Sequence, residues 1–241
     1  MTSRFLPLRI PSFMLYLPIH KRKVKTMKNA DKKKFLIGAG FLAAFVLWTV
    51  LVSLVDIRAI GPNGSSVGFA ALNGYVHERI GVNIPLYTIT DWLGFVPIGV
   101  AFGFAILGLV QWIKRKSLLK VDRSLLALGG FYIVVLAAYI FFEIVVINYR
   151  PTLIDGYLEA SYPSSTTMLV MCVMPTAMLQ LHARIENDVF RRCVMVSIAV
   201  FIVFMVIGRL VSGVHWLSDI IGGALISAGL VMLYASVSMH K

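Results

Sequence analysis

Six stretches of the chain are apolar over the length of a membrane helix or close to it, with short polar joints between them. They are Phe35–Val55, Leu93–Ile113, Leu125–Ile147, Ser165–Leu181, Cys193–Gly208 and Ile220–Met239, running 21, 21, 23, 17, 16 and 20 residues. Crossing a hydrocarbon core takes about 20 helical residues. The first three and the last therefore read as spans. The fourth and fifth are short enough to be buried helices, but an even count and the placement of charge favour counting them too. Nothing repeats at the period of a solenoid or propeller.

Composition agrees with the pattern. Hydrophobic residues make up 59% and charged residues 14% of the 241, against about 25% charged in a soluble domain. Mean hydropathy is +0.84. A soluble globule of this size cannot hide that much apolar surface. Intrinsic disorder, collagen, a coiled coil and a secreted disulfide scaffold are excluded. The two cysteines, Cys172 and Cys193, lie in or at the edge of apolar runs and read as inert core thiols rather than a disulfide. The expected fold is an all-α integral membrane protein, a six-transmembrane helical bundle.

The net charge of +12 raises nucleic acid as a partner until the charges are placed. With the N-terminus cytoplasmic, residues 1–34, 114–124, 182–192 and the tail hold 19 Lys and Arg. The other side holds Arg58, Arg79, Arg150 and Arg209. That asymmetry is the positive-inside rule. The charge thus marks topology and contact with lipid headgroups, and nucleic acid drops out. The expectation is a multi-pass protein of a cell membrane with both termini cytoplasmic. Residues 1–34 form a basic cytoplasmic tail, disordered or lying on the inner leaflet, and Met27 is an alternative start. Residues 35–240 form the membrane domain. The sequence sets no oligomeric state.

The longest outer loop, Asp56–Trp92, carries the turn-rich "GPNGSS" and "FAALNGYVHERIG", a candidate interfacial helix whose His77 reads as ordinary surface. Trp92, Trp112 and Trp216 suit an aromatic belt, and the small residues of "GGALISAG" suit close helix packing.

Three segments carry candidate chemistry: "NYRP" (148–151), "YPSSTT" (162–167) and "GRLVSGVHWLSD" (208–219). Charge and span length put all three at the outer face. Arg150 and Arg209 can each grip a phosphate or carboxylate in bidentate fashion. Ser164 and Ser165 stand at a helix start, where hydroxyls and free N–H groups suit an anion. His215 and Asp219, four residues apart, share a helix face, so the carboxylate can orient the imidazole as a base or nucleophile. Arg-x5-His-x3-Asp arises by chance roughly 0.007 times in a chain of this composition. Together these residues describe a phosphate cradle with an oriented histidine.

At these residues the sequence resembles the type 2 phosphatidic acid phosphatase (lipid phosphate phosphatase) superfamily, over residues 35–240. The family pattern is Lys-x6-Arg-Pro, Pro-Ser-Gly-His and Ser-Arg-x5-His-x3-Asp. The matches are Arg150 and Pro151, then Pro163 and Ser164, then Arg209, His215 and Asp219; Ser165 replaces Gly and Gly208 replaces Ser. The resemblance implies that His215 attacks phosphorus and forms a phosphohistidine, with Asp219 orienting it. Arg150, Arg209, Ser164 and Ser165 then hold phosphate oxygens, and no metal or other cofactor is needed.

Two positions depart from the pattern. Glu143 stands where the family has Lys, two helical turns before Arg150, and is expected to pair with Arg150 or Arg209 or to meet a headgroup. Thr166 stands where the family has the histidine that protonates the leaving group. A threonine is no acid near neutral pH, and such help is worth about 10²–10⁴ in rate. His182 is no substitute, since it lies at the opposite face. A diphosphate, whose leaving group is itself a phosphate, needs that help least. The expected activity is therefore lipid phosphatase action at the outer face, on isoprenoid (undecaprenyl) diphosphate in preference to a monophosphate, or else a weakened form of that activity. Passing phosphate to another lipid, or a non-catalytic lipid-phosphate binder or carrier, are the alternatives.

Overall fold

The computed structural model describes residues 13–238, with side chains from residue 29 onward. Of the tail expected over residues 1–34, residues 1–12 lie outside the described residues; residues 13–34, Met27 among them, are the start of helix α1 and not a disordered segment. The described chain is α-helical: α1 (Phe13–Leu54), α2 (Ala70–Ile80), α3 (Ile84–Leu93), α4 (Phe95–Arg115), α5 (Arg123–Ile144), α6 (Ser165–His182), α7 (Asp188–Val211) and α8 (Leu217–Ser238). Short 3-10 turns and irregular connections join these helices, and β structure among the described residues is limited to isolated bridges such as Tyr149 with Ala160.

Five helical segments are long and apolar enough to cross a membrane: Asn29–Leu54, Ile84–Arg115, Arg123–Ile144, Asp188–Val211 and Leu217–Ser238. The second comprises α3 and α4, which meet at Gly94. The expected fourth span, α6, is not among them, and this corrects the count of six lipid-compatible spans. Pro175, Thr176 and Gln180 lower its hydropathy, and half of its residues are buried. It packs among α4, α5, α7 and α8. Its polar side chains thus meet protein instead of lipid, as a central helix requires.

Around this post the outward faces are apolar. Val46, Leu47, Phe102, Ile106, Ile133, Val196, Val200 and Val203 are exposed, the expected surface for a bundle solvated by lipid tails. α8 lies against α1, α5, α6 and α7. Small residues permit the close approach: a methyl group at Gly229 would stand 2.7 Å from Leu42 of α1, and one at Gly222 would stand 2.6 Å from the Tyr162 ring. Cys172 is buried, whereas Cys193 is exposed on α7; both are free thiols. Trp92 and Trp112 are exposed near the two ends of α4, but Trp216 is buried and belongs to the interior, not to an aromatic belt. Its indole donates to the Tyr149 carbonyl at 2.7 Å.

The C-terminal ends of α1, α5 and α7 and the N-terminal ends of α4, α6 and α8 converge at one end of the bundle. There Trp48 donates to Ser218, Ser164 to Asp219, and Asn83 to Ser212. α2 and α3 cover this end, and it holds all three motif segments.

Candidate active site

Asp219 is the fixed point of the site. Its side chain is fully buried in the first turn of α8. Oδ2 accepts from the Ser161 hydroxyl at 2.6 Å and from the Trp216 N–H at 3.0 Å. Oδ1 accepts from Asn148 Nδ2 at 3.2 Å and from the Ser218 hydroxyl at 3.3 Å. A buried carboxylate is tolerable only with such partners. Asn148 is held in turn by the Gly68 N–H, while Asn73 of α2 bonds both the hydroxyl and the N–H of Ser218. The outer loop is thereby tied into the site.

His215 stands in the short turn between α7 and α8. Gly213 makes that turn possible: its φ is +68°, and a Cβ there would collide with the Gly81 carbonyl. His215 Nδ1 lies 3.8 Å from Asp219 Oδ2, beyond hydrogen-bond length. The direct His–Asp bond expected from the spacing is thus an aligned approach, because other donors occupy the carboxylate. Nε2 lies 3.3 Å from Arg209 Nη2. A guanidinium only donates, so Nε2 carries the lone pair and Nδ1 the proton. Burial first, then the charges of Arg150 and Arg209, hold the histidine well below its ordinary pKa of 6.5, with the Ser161 backbone acting the other way. The imidazole is neutral, with its free lone pair beside a guanidinium.

The two arginines share one support. The guanidiniums of Arg209 and Arg150 lie 5.0 and 5.9 Å from the ring centroid of Tyr87 on α3, within cation–π range. Each also has a carboxylate at the mouth of the site. Arg209 Nη1 is 3.5 Å from Asp91 Oδ1, and Arg150 Nε is 3.0 Å from Glu159 Oε2. Even so, buried nitrogens remain without a hydrogen bond: Arg209 Nε, Arg150 Nε and Nη1, and His215 Nδ1. The Arg150–Glu159 contact is close in distance but not directed as a hydrogen bond. Unsatisfied buried donors on two adjacent cations fit an anion with several oxygens.

The start of α6 completes the ring. Ser164 is fully buried; its hydroxyl caps α6 by accepting from Thr167, and its N–H donates to the Asp219 carbonyl. Its polar groups are therefore committed to the fold. Ser165 and Thr166 sit in the first turn, half-buried, where helix geometry leaves N–H groups open. Both line an apolar groove of about 570 Å³ between α4, α5 and α6, with Asp91 and Tyr139. A second apolar cavity of about 310 Å³ shares Ala101 and Tyr132 with it and reaches Leu118 near the far end of the bundle.

Glu143 is where sequence spacing misled. α5 ends at Ile144 and the chain turns, so Glu143 and Arg150 do not share a helix face. Arg150 pairs with Glu159 and Arg209 with Asp91 instead. Glu143 is exposed and borders a small cleft with Tyr139, Ser161 and Ser165. His182 ends α6, about 26 Å from its start by helical rise, away from the site. His77 is half-buried on α2 with its ring 5.3 Å from Trp216. The motifs did not reveal Tyr87, Thr90, Asp91, Glu159, Asn73 and Ser161. For Tyr87 and Asp91 a signal existed: they are four apart, on one face of a helix capped by Asn83 and followed by an apolar span.

The sequence matches the PAP2 superfamily over residues 130–241. That stretch contains Arg150, Ser164, Arg209, His215 and Asp219. Among solved structures, the chain is similar to that of the first transmembrane PAP2-type phosphatidylglycerolphosphate phosphatase from Bacillus subtilis. Identity is 19%, 83% of this chain and 93% of that one are covered, and the TM-score is 0.47. No curated protein matches.

Proposed function

We propose that this chain, which matches the PAP2 superfamily over residues 130–241, is a membrane lipid phosphatase acting through His215. The observation that carries this reading is the placement of His215 between Arg209 and Asp219, which assigns its tautomer. Its Nε2 lone pair faces Arg209, and its Nδ1 proton faces Asp219, 3.8 Å away. Binding alone requires no such nucleophile. Nε2 attacks phosphorus, Arg150 and Arg209 with the open N–H groups of α6 hold the phosphoryl oxygens, and Asp219 stabilises the imidazolium that forms. Water then releases phosphate from the phosphohistidine. Ser165 and Thr166 contribute through their backbone, while Ser164 shapes the turn from within.

The groove between α4, α5 and α6 supports a lipid substrate. It brings an apolar channel to the rim of a cationic cradle, and the adjoining cavity extends it for a long chain. That length, with Thr166 in place of an acid, supports isoprenoid diphosphates over phosphatidate. The excess of Lys and Arg on the opposite loops supports an extracytoplasmic site in a cell membrane. Thr166 also favours a second reading, a lipid-phosphate binder or carrier. Phosphate release by the detergent-purified protein separates the two. The phosphatase reading expects release from undecaprenyl diphosphate, slower release from phosphatidate, and none from His215→Ala. Binding of a phosphate analogue without turnover, unaffected by His215→Ala, supports the carrier.

A further inference from the structure

Expelling a lipid oxygen from phosphorus calls for a proton donor as well as a nucleophile, and the groove fixes where that donor must stand. The chain of a bound lipid lies in the groove, whose polar rim is formed by Asp91, Ser165 and Thr166. Arg209 links this rim to the nucleophile. Its Nη2 is 3.3 Å from His215 Nε2 and its Nη1 is 3.5 Å from Asp91 Oδ1. A phosphate seated on that guanidinium has His215 at one edge and Asp91 at the other. In-line attack drives the leaving oxygen away from the nucleophile, toward the rim.

Among the described residues lining the groove, Asp91 is the only carboxyl; Ser165, Thr166, Tyr132 and Tyr139 offer hydroxyls, poor acids near neutral pH. Building on the phosphatase reading above, we infer that Asp91, in α3 and outside all three motif segments, is the general acid for the departing lipid oxygen. In the empty cradle Asp91 pairs with Arg209. A bound phosphate takes over the Arg209 N–H groups and frees Asp91 to face the departing oxygen. Its side chain is 52% exposed, so it has room to turn from one partner to the other.

The step balances. The bond from His215 Nε2 to phosphorus forms as the bond from phosphorus to the lipid oxygen breaks. The Asp91 proton passes to that oxygen, and the alcohol leaves along the groove. Asp91, now a carboxylate, takes a proton from water as the water oxygen bonds phosphorus and the phosphorus–nitrogen bond breaks. Inorganic phosphate departs, with His215 and Asp91 restored. A diphosphate, whose leaving group is itself a phosphate, still needs the donor least and keeps its lead in the wild type.

The test compares leaving groups in the full-length protein in detergent. Asp91→Asn slows phosphate release from phosphatidate by about 10²–10⁴. The same variant keeps undecaprenyl diphosphate turnover within about tenfold of wild type, so the ratio between substrates widens. Asp91→Glu, which retains the carboxyl, recovers part of the phosphatidate rate. Equal losses on both lipids, the signature of a residue that merely holds Arg209, overturn the proposal and leave the phosphatase reading standing. An unchanged phosphatidate rate in Asp91→Asn also overturns it. Wild-type protein that releases phosphate from neither lipid overturns the phosphatase reading, and this inference with it.

Discussion

The two ends of the bundle both bury polar groups, but they treat them differently. At the end holding the α4–α5 and α6–α7 connections, Asp122 accepts from Gln111 at 2.8 Å and from Arg115 at 3.1 Å, with Arg184 at 3.6 Å. Gln180 bonds Tyr234, Arg184 and the Ser124 carbonyl. The Gln111 bond, then the two arginines, hold the Asp122 carboxyl below its ordinary pKa against some desolvation. At the His215 end, by contrast, lie all the buried side-chain polar atoms without a partner among the described residues: those of Arg150, Arg209 and His215, plus the hydroxyls of Ser65 and Thr167. A satisfied network of charges adds rigidity; unsatisfied cations are a cost that a ligand removes. The first end holds the helices together, and the second presents unsatisfied donors that an anion would satisfy.

Substitutions at the two ends should therefore separate activity from stability. The largest effect belongs to His215→Ala, which should lower turnover by about 10³ or more with little loss of thermal stability; an equal fall in Tm would make the histidine structural. Arg209→Lys should cost about 10²–10³ in kcat/KM, because an ammonium cannot bridge as the planar guanidinium does. Gly213→Ala should destabilise by about 2–4 kcal/mol, combining a left-handed φ with the collision at Gly81. A Tm equal to wild type would show that the turn can relax. Asp122→Ala should lower stability by about 1 kcal/mol and leave kcat/KM near wild type, the reverse of His215→Ala.

The smallest effect is in the pH profile. Because the His215 pKa lies well below 6.5 in the folded site, kcat/KM should stay flat on its account as pH falls from 7.5 to 6.5. Removing one neighbouring charge in Arg209→Met should move the acid limb upward. Stability has a matching sign: the folded site keeps His215 neutral while the unfolded chain binds a proton below about pH 6.5, so stability declines as pH drops through that value.

How much of this was legible in the sequence follows from the range of each interaction. Span lengths and charge asymmetry reflect the solvent, which acts residue by residue, so the long helices and their common site end were readable. Arg209, His215 and Asp219 were readable because they lie within eleven residues of one another, so the short turn between α7 and α8 keeps them close although His215 itself is not helical. α6 is readable as a short span that a buried helix fits equally well; that Thr176 and Gln180 lie inside a ring of other helices depends on contacts with distant segments, which its own sequence does not carry. Glu143 was assigned to the arginines by assuming that α5 continues, whereas it stops at Ile144 and the loop delivers Glu159 in its place. Tyr87 and Asp91 lie more than a hundred residues from Arg209 along the chain. Only the packing of α3 on α7 brings them together, and no local pattern encodes that contact.

The most direct test of the central claim is to quench the working enzyme with a radiolabelled lipid phosphate and look for the covalent intermediate. The account predicts an acid-labile, base-stable phosphoryl group on His215, formed and lost at rates consistent with turnover and absent from His215→Ala. Turnover without that intermediate, or undiminished turnover in His215→Ala, would contradict it.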